Sequence, residues 1–182
     1  MDRLKRFFNT IVQRAFGELG LAEQPIVDHV SEVLADFADA ERLYRLRSIE
    51  GKRIDSLVST MVQLPGAGKR VQLERERDLQ RYIGDYALFM SGIFRTHAER
   101  GGYLQFYLEA GRRSYWNVSE LDVALYRAGF LLFQELSKNF EFYSGALDYV
   151  RKAYFAPSPG ADPFADFLRQ VDGWMRSNLS NN

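Results

Sequence analysis

The sequence predicts an all-α fold, a single-domain helical bundle of six to eight helices. Three observations predict it. Alternating β-branched runs, the mark of strands, are almost absent, while apolar residues recur at i, i+3, i+4 and i+7 along most of the chain. A length of 182 residues suits one domain with a substantial core. A hydrophobic fraction of 46%, with 14 Phe and 10 Tyr, places the chain among folded rather than disordered sequences.

The first helix is the most regular. Leu4, Phe7, Phe8, Ile11, Val12, Ala15 and Phe16 form one stripe, and Gly17 and Gly20 end it. Arg3, Lys5, Arg6 and Arg14 make the other face basic. Such a helix caps the core, or it is an arm that docks on a partner or lies on an anionic membrane through residues 2–17. Pro25, in a first-turn position, opens a second helix. Ile26, Val27, Val30, Val33, Leu34 and Phe37 face inward; His29, Glu32, Asp36 and Asp39 lie along the opposite stripe. A stripe opposite an apolar face is ordinarily solvated. His29, Glu32 and Asp36 are nevertheless the candidate ligands for a hard divalent cation.

Ile54, Leu57, Val58, Met61 and Val62 predict a short helix that stops before the turn Leu64-Pro65-Gly66-Ala67-Gly68-Lys69. That turn ends Gly-Lys but is not a P-loop: Gln63 stands where the first glycine belongs and Arg70 where Ser or Thr belongs. Arg70 to Arg81 alternates in sign and reads as an exposed first half of the next helix. Its second half, Leu79–Phe94, is the stretch around which the chain is organised. Leu79, Tyr82, Ile83, Tyr86, Met90, Ile93 and Phe94 share one face; Gly84, Leu88, Ser91 and Gly92 lie opposite, with Arg81 and Asp85 one turn apart. A helix apolar on one side and small on the other belongs inside a bundle. Gly84 and Gly92 should therefore meet a neighbouring helix at close range, with Arg81 and Asp85 partly shielded.

After His97 and the break at Gly101-Gly102, a short helix carries Tyr103, Phe106, Tyr107 and Ala110. Gly111-Arg112-Arg113-Ser114-Tyr115-Trp116 reads as a connector. Arginines beside aromatic rings can hold a phosphate and stack a base. Arg112, Arg113, Tyr103, Tyr107, Tyr115 and Trp116 are thus the candidate small-ligand pocket. Asn117 with Glu120 at N3 reads as a capping box. It opens a helix whose stretch Leu121–Leu136, apolar on two faces, should be the second innermost, antiparallel to the first. A helix over Phe142–Tyr154 follows. Ala156-Pro157-Ser158-Pro159-Gly160 is the clearest break. Residues 1–155 are then the bundle, 156–162 a linker, and 163–178 a C-terminal amphipathic helix that packs on the same bundle or on a partner. Its Phe164, Phe167, Leu168, Val171, Trp174 and Met175 are the candidate interface.

Lys+Arg and Asp+Glu are both 24, so no global field draws in nucleic acid or anionic lipid. With no cysteine, disulfides, thiolate metal sites and cysteine nucleophiles are excluded. No run of about 18 apolar residues is present, so no membrane span is expected. The N-terminus lacks a signal-peptide pattern, which makes a cytoplasmic location the expectation. No hydrolase triad order, His-Glu-x-x-His, or glycine-rich dinucleotide turn occurs, and no cofactor is expected. Three function classes follow. The first is a non-catalytic module that binds a protein partner or itself, most simply as a homodimer. The second is a sensor-like small-ligand binder using the aromatic and arginine residues. The third is an enzyme or metalloprotein using His29, Glu32 and Asp36, or His97 and Glu99.

Overall fold

The helices run α1 Arg3–Glu18, α2 Gln24–Phe37, α3 Lys69–Gly92, α4 Arg95–Arg100, α5 Leu104–Ala124, α6 Phe130–Lys138, α7 Phe140–Tyr154 and α8 Pro163–Ser177. The computed structural model describes residues 3–39 and 68–177, and among the described residues there are eight helices and no strand. The expected helix over Ile54–Val62 and the turn from Leu64 to Ala67 lie outside the described residues.

Local chemistry explains the ends. Gly20 takes the left-handed backbone that glycine tolerates, with φ 73°. Its N–H reaches Gly17 O at 3.1 Å and the Leu21 N–H reaches Phe16 O at 2.7 Å, the paired bonds of a Schellman stop for α1. At the start of α8, Asp162 Oδ2 accepts from Ala165 N at 3.1 Å, so the aspartate caps the helix.

α3 is the centre. From Ile83 to Phe94 every residue except Asp85 is buried. The pairs Tyr86–Tyr107, Gln80–Asn117 and Arg77–Asp122 run in opposite senses, so α5 lies antiparallel along α3. Glycines allow the close approach. A Cβ on Gly84 would sit 2.6 Å from the Tyr115 ring, and one on Gly92 would sit 2.4 Å from Leu147 Cβ of α7. The expected small face of Leu79–Phe94 is therefore present, with α5 and α7 against it.

Five expectations are corrected. Tyr82, placed on the core face, is 46% exposed. Arg77, placed in the wet half of α3, is buried against Asp122. Gly111 to Trp116 is not a connector, because α5 runs unbroken from Leu104 to Ala124. Gly111 sits there because a Cβ would come within 2.0 Å of the buried Phe140 ring. The stretch Leu121–Leu136 is accordingly not one inner helix: it divides between α5 and α6, at a turn where Tyr126 has φ 55°. The Asn117–Glu120 capping box falls inside α5.

α1 and α8 each keep one face toward solvent. Phe8, Ile11, Val12, Ala15 and Phe16 of α1 are in the common core, so its stripe covers the chain's own interior. Phe164, Phe167 and Val171 of α8 join the same core, with Leu168 and Met175 partly buried against it. Phe167 meets Phe89, Phe94 and Phe155 at 5.9, 5.6 and 5.1 Å between ring centres. None of the described helices is long and apolar enough to cross a membrane.

Candidate functional site

The helices bring together two kinds of chemistry, a buried polar network and an outward apolar groove. The network starts from α2, which is covered on more sides than its periodicity suggests. His29 is 5% exposed, edge-on to Phe133 at 5.3 Å. Its Nε2 donates to Asp85 Oδ1 at 2.9 Å, and the Tyr115 hydroxyl donates to the same oxygen at 2.7 Å. Arg81 lies 3.5 Å from the other carboxylate oxygen through Nε and donates to Glu32 Oε2 at 2.9 Å. Lys5 of α1 completes the chain with Glu32 Oε1 at 3.3 Å. Four helices are thus joined by one continuous run of polar side chains.

Burial, then the facing Asp85 charge, pushes the Tyr115 phenol well above its ordinary value, so it stays neutral and donates. Burial pushes Glu32 up, but the Lys5 hydrogen bond and the Arg81 charge hold its carboxyl below the usual range. A second buried pair, Arg77 to Asp122, is bidentate at 2.5 and 3.4 Å beneath the Phe133 ring. Among the described residues no buried side-chain N or O lacks a partner. Groups so fully engaged with one another fix which helix meets which.

The candidates read from sequence divide between these places. His29 and Glu32 belong to the network, while Asp36 is exposed. Among the described residues, no three His, Asp or Glu side chains converge as metal ligands. Of the aromatic set, Tyr107 and Tyr115 are core residues, whereas Tyr103 and Trp116 are 56% and 42% exposed. Arg112 and Arg113 are both exposed in mid-helix. The six residues do not surround one pocket. In α8, Phe164, Phe167 and Val171 are buried within the chain, and Trp174, still 42% exposed, donates from Nε1 to Tyr154 O at 2.9 Å.

Sequence reasoning missed the outer face of α7. Its inner face carries Phe140, Tyr143, Leu147 and Val150 into the core. Its outer face carries Phe142, Gly145 and Tyr149 at i, i+3 and i+7, with the core residue Ala146 at i+4 between them. Phe142 is 55% exposed and Tyr149 37%, and Leu19 from the end of α1 adds a third apolar side chain at 40%. Together they line an open concavity of about 570 Å³. Gly145 is its open floor: a Cβ there would meet nothing within 4 Å. Phe142 and Tyr149, seven residues apart, stand about 10 Å apart along the axis, which is the width of one helix. Arg112 and Lys138 stand at the rim with Glu141. Among the described residues Arg112 has no carboxylate partner. Tyr149 donates to Glu18 Oε2 at 2.6 Å, and that bond raises its phenol above the ordinary value. The available signal was a second i, i+3, i+4, i+7 stripe in a helix that already had one.

No protein-family model matches this chain, and no curated protein or solved structure matches it.

Proposed function

We propose that the protein is a non-catalytic helical interaction module, and that the outer face of α7 receives an amphipathic helix of a protein partner. The observation that carries this reading is the groove between Phe142 and Tyr149. Its two aromatic posts, glycine floor and added Leu19 form a contiguous apolar concavity facing solvent, the kind of surface that marks interaction sites. Helix-in-groove recognition uses anchors at i, i+3, i+4 and i+7 on one side and a matching trough on the other. The free Arg112 and the neighbouring Lys138 select a partner helix with carboxylates beside its apolar stripe.

The probe is an amphipathic peptide of about 18 residues, with leucines at that spacing and flanking glutamates. Fluorescence anisotropy should show binding in the micromolar range, about −8 kcal/mol. Gly145→Trp should abolish it, because the floor then fills while the helix stays intact. Equal binding by wild type and Gly145→Trp refutes the groove. A second copy of the chain is the competing occupant. Light scattering that shows twice the 21.0 kDa mass, reduced to the monomer by Gly145→Trp, would assign the groove to self-association instead.

A further inference from the structure

We infer that a second cavity, a half-open cleft lined by α4, the end of α7, the connector 156–162 and the start of α8, binds a small amphiphilic anion: a carboxylate or sulfonate on an apolar body. The cavity has a volume of about 510 Å³, within the range of small-ligand sites. It shares no lining residue with the α7 groove. Its apolar wall is Phe94, Phe155 and Phe167, all buried and in mutual ring contact through Phe167.

The connector is a built wall. Asp166, 4% exposed, accepts from Ser158 N at 2.8 Å, from Ser158 Oγ at 3.0 Å, from Gln170 Nε2 at 3.0 Å and from Arg169. Gln170 Nε2 also donates to Ala156 O at 2.8 Å, and Gly160 turns the chain with φ 75°. The prolines on either side of Ser158 stiffen the segment between these anchors.

The polarity of the ligand follows from what remains unengaged. Asp166, the lining carboxylate, is occupied by its four donors, so it has little left to offer a cation. The donors are not exhausted. Arg151 uses Nε and Nη2 on Asp148 Oδ1, which leaves Nη1. Arg100, on α4 at the mouth, has no ion pair among the described residues. A lining that combines phenylalanine rings with spare guanidinium donors accepts an apolar body that carries a negative acceptor at one end.

The test uses 1-anilinonaphthalene-8-sulfonate as the reporter on the full chain, with sodium octanoate and 1-octanol as competitors. Octanoate should displace the dye, and octanol should need about tenfold more, since a hydrogen bond to a charged group is at stake. Arg100→Ala should weaken octanoate about tenfold and leave octanol unchanged. Ala161→Trp, an exposed connector position that fills the cavity, should remove displaceable binding, whereas Gly145→Trp in the α7 groove should not alter it. Octanoate and octanol competing equally, unchanged affinity in Ala161→Trp, or no octanoate binding at millimolar concentration each overturn the inference.

Discussion

Replacing Gly92 with alanine tests whether α3 is the packed centre. The added Cβ would lie 2.4 Å from Leu147 Cβ and 3.0 Å from its Cδ1. Carbon atoms settle at about 3.5–4.0 Å, so something must move by about 1 Å. Turning the Leu147 side chain moves Cδ1 but not Cβ, which is fixed to the backbone of α7. The two helices must therefore separate where both are buried. Overpacking of this kind costs about 1–3 kcal/mol, and a clash that no rotamer relieves belongs at the upper end. Against this, alanine is the better helix former by up to about 1 kcal/mol, and less at the last residue of a helix. The net expectation is a loss of about 2 kcal/mol, or about 4–8 °C in Tm for a chain of this size. Gly145→Ala is the control. Its Cβ meets nothing within 4 Å in a helix interior, so it should leave Tm unchanged or raise it by a few degrees. Differential scanning calorimetry on the two variants decides. If Gly92→Ala is as stable as Gly145→Ala, the close approach of α3 and α7 is wrong.

Three further predictions concern the polar contacts between helices. Asp122→Ala removes the buried partner of the Arg77 guanidinium, leaving only the long contact to the exposed Asp78, and should cost about 3 kcal/mol in urea unfolding; the double change Arg77→Met with Asp122→Leu should recover most of it. Tyr115 has its folded pKa raised above 10.0, so its contribution is intact below pH 10 and is lost as pH rises beyond it. Tyr115→Phe should therefore unfold less steeply in alkali, and an unchanged alkaline slope would count against the Asp85 contact. Glu32 has its folded pKa lowered from 4.5, so its contribution is present above that value and fades as pH falls through the folded one. Its side chain is 39% exposed, so Glu32→Gln should cost only a few tenths of a kcal/mol at pH 7 and flatten the acid limb of the stability curve.

Much of the bundle was legible because apolar periodicity reports burial directly. The stripes of α1 and α8 and both faces of Ile83–Phe94 follow from spacing alone, and so does the need for a close neighbour at Gly84 and Gly92. The errors have one physical source: a residue's partners are not in its own window. Gly111 resembles a break, but it is glycine because the Phe140 ring, far along the chain, occupies the space of its Cβ. Arg77 resembles a solvated charge, but Asp122 and Phe133 receive it in the interior. His29 lies on a stripe with three carboxylates, yet it turns inward to Asp85 and Tyr115 from two other helices. The end of α5 near Tyr126 was hidden by an apolar pattern that continues through the turn into α6.

The groove was illegible for the opposite reason. Phe142 and Tyr149 look like core residues, and only the burial of Leu147 and Val150 on the other side of α7 shows that the aromatic pair faces out. The residues singled out for a partner, on α8, mostly cover their own core instead. The sequence puts Arg112 in a connector, whereas in the structure it is a mid-helix residue at the rim of the α7 concavity.

The most direct test of the proposed role is a reversal of charge preference. Arg112→Glu with Lys138→Glu changes two exposed rim residues and leaves Phe142, Gly145 and Tyr149 in place. Anisotropy titrations use two peptides with the same leucine stripe, one flanked by glutamates and one by lysines. Wild type should prefer the acidic peptide by about tenfold, and the double variant should prefer the basic one by a similar factor, since opposite charges attract and like charges repel at the rim. The same preference in both proteins, or no binding of either peptide, contradicts the assignment of the α7 groove as the recognition surface.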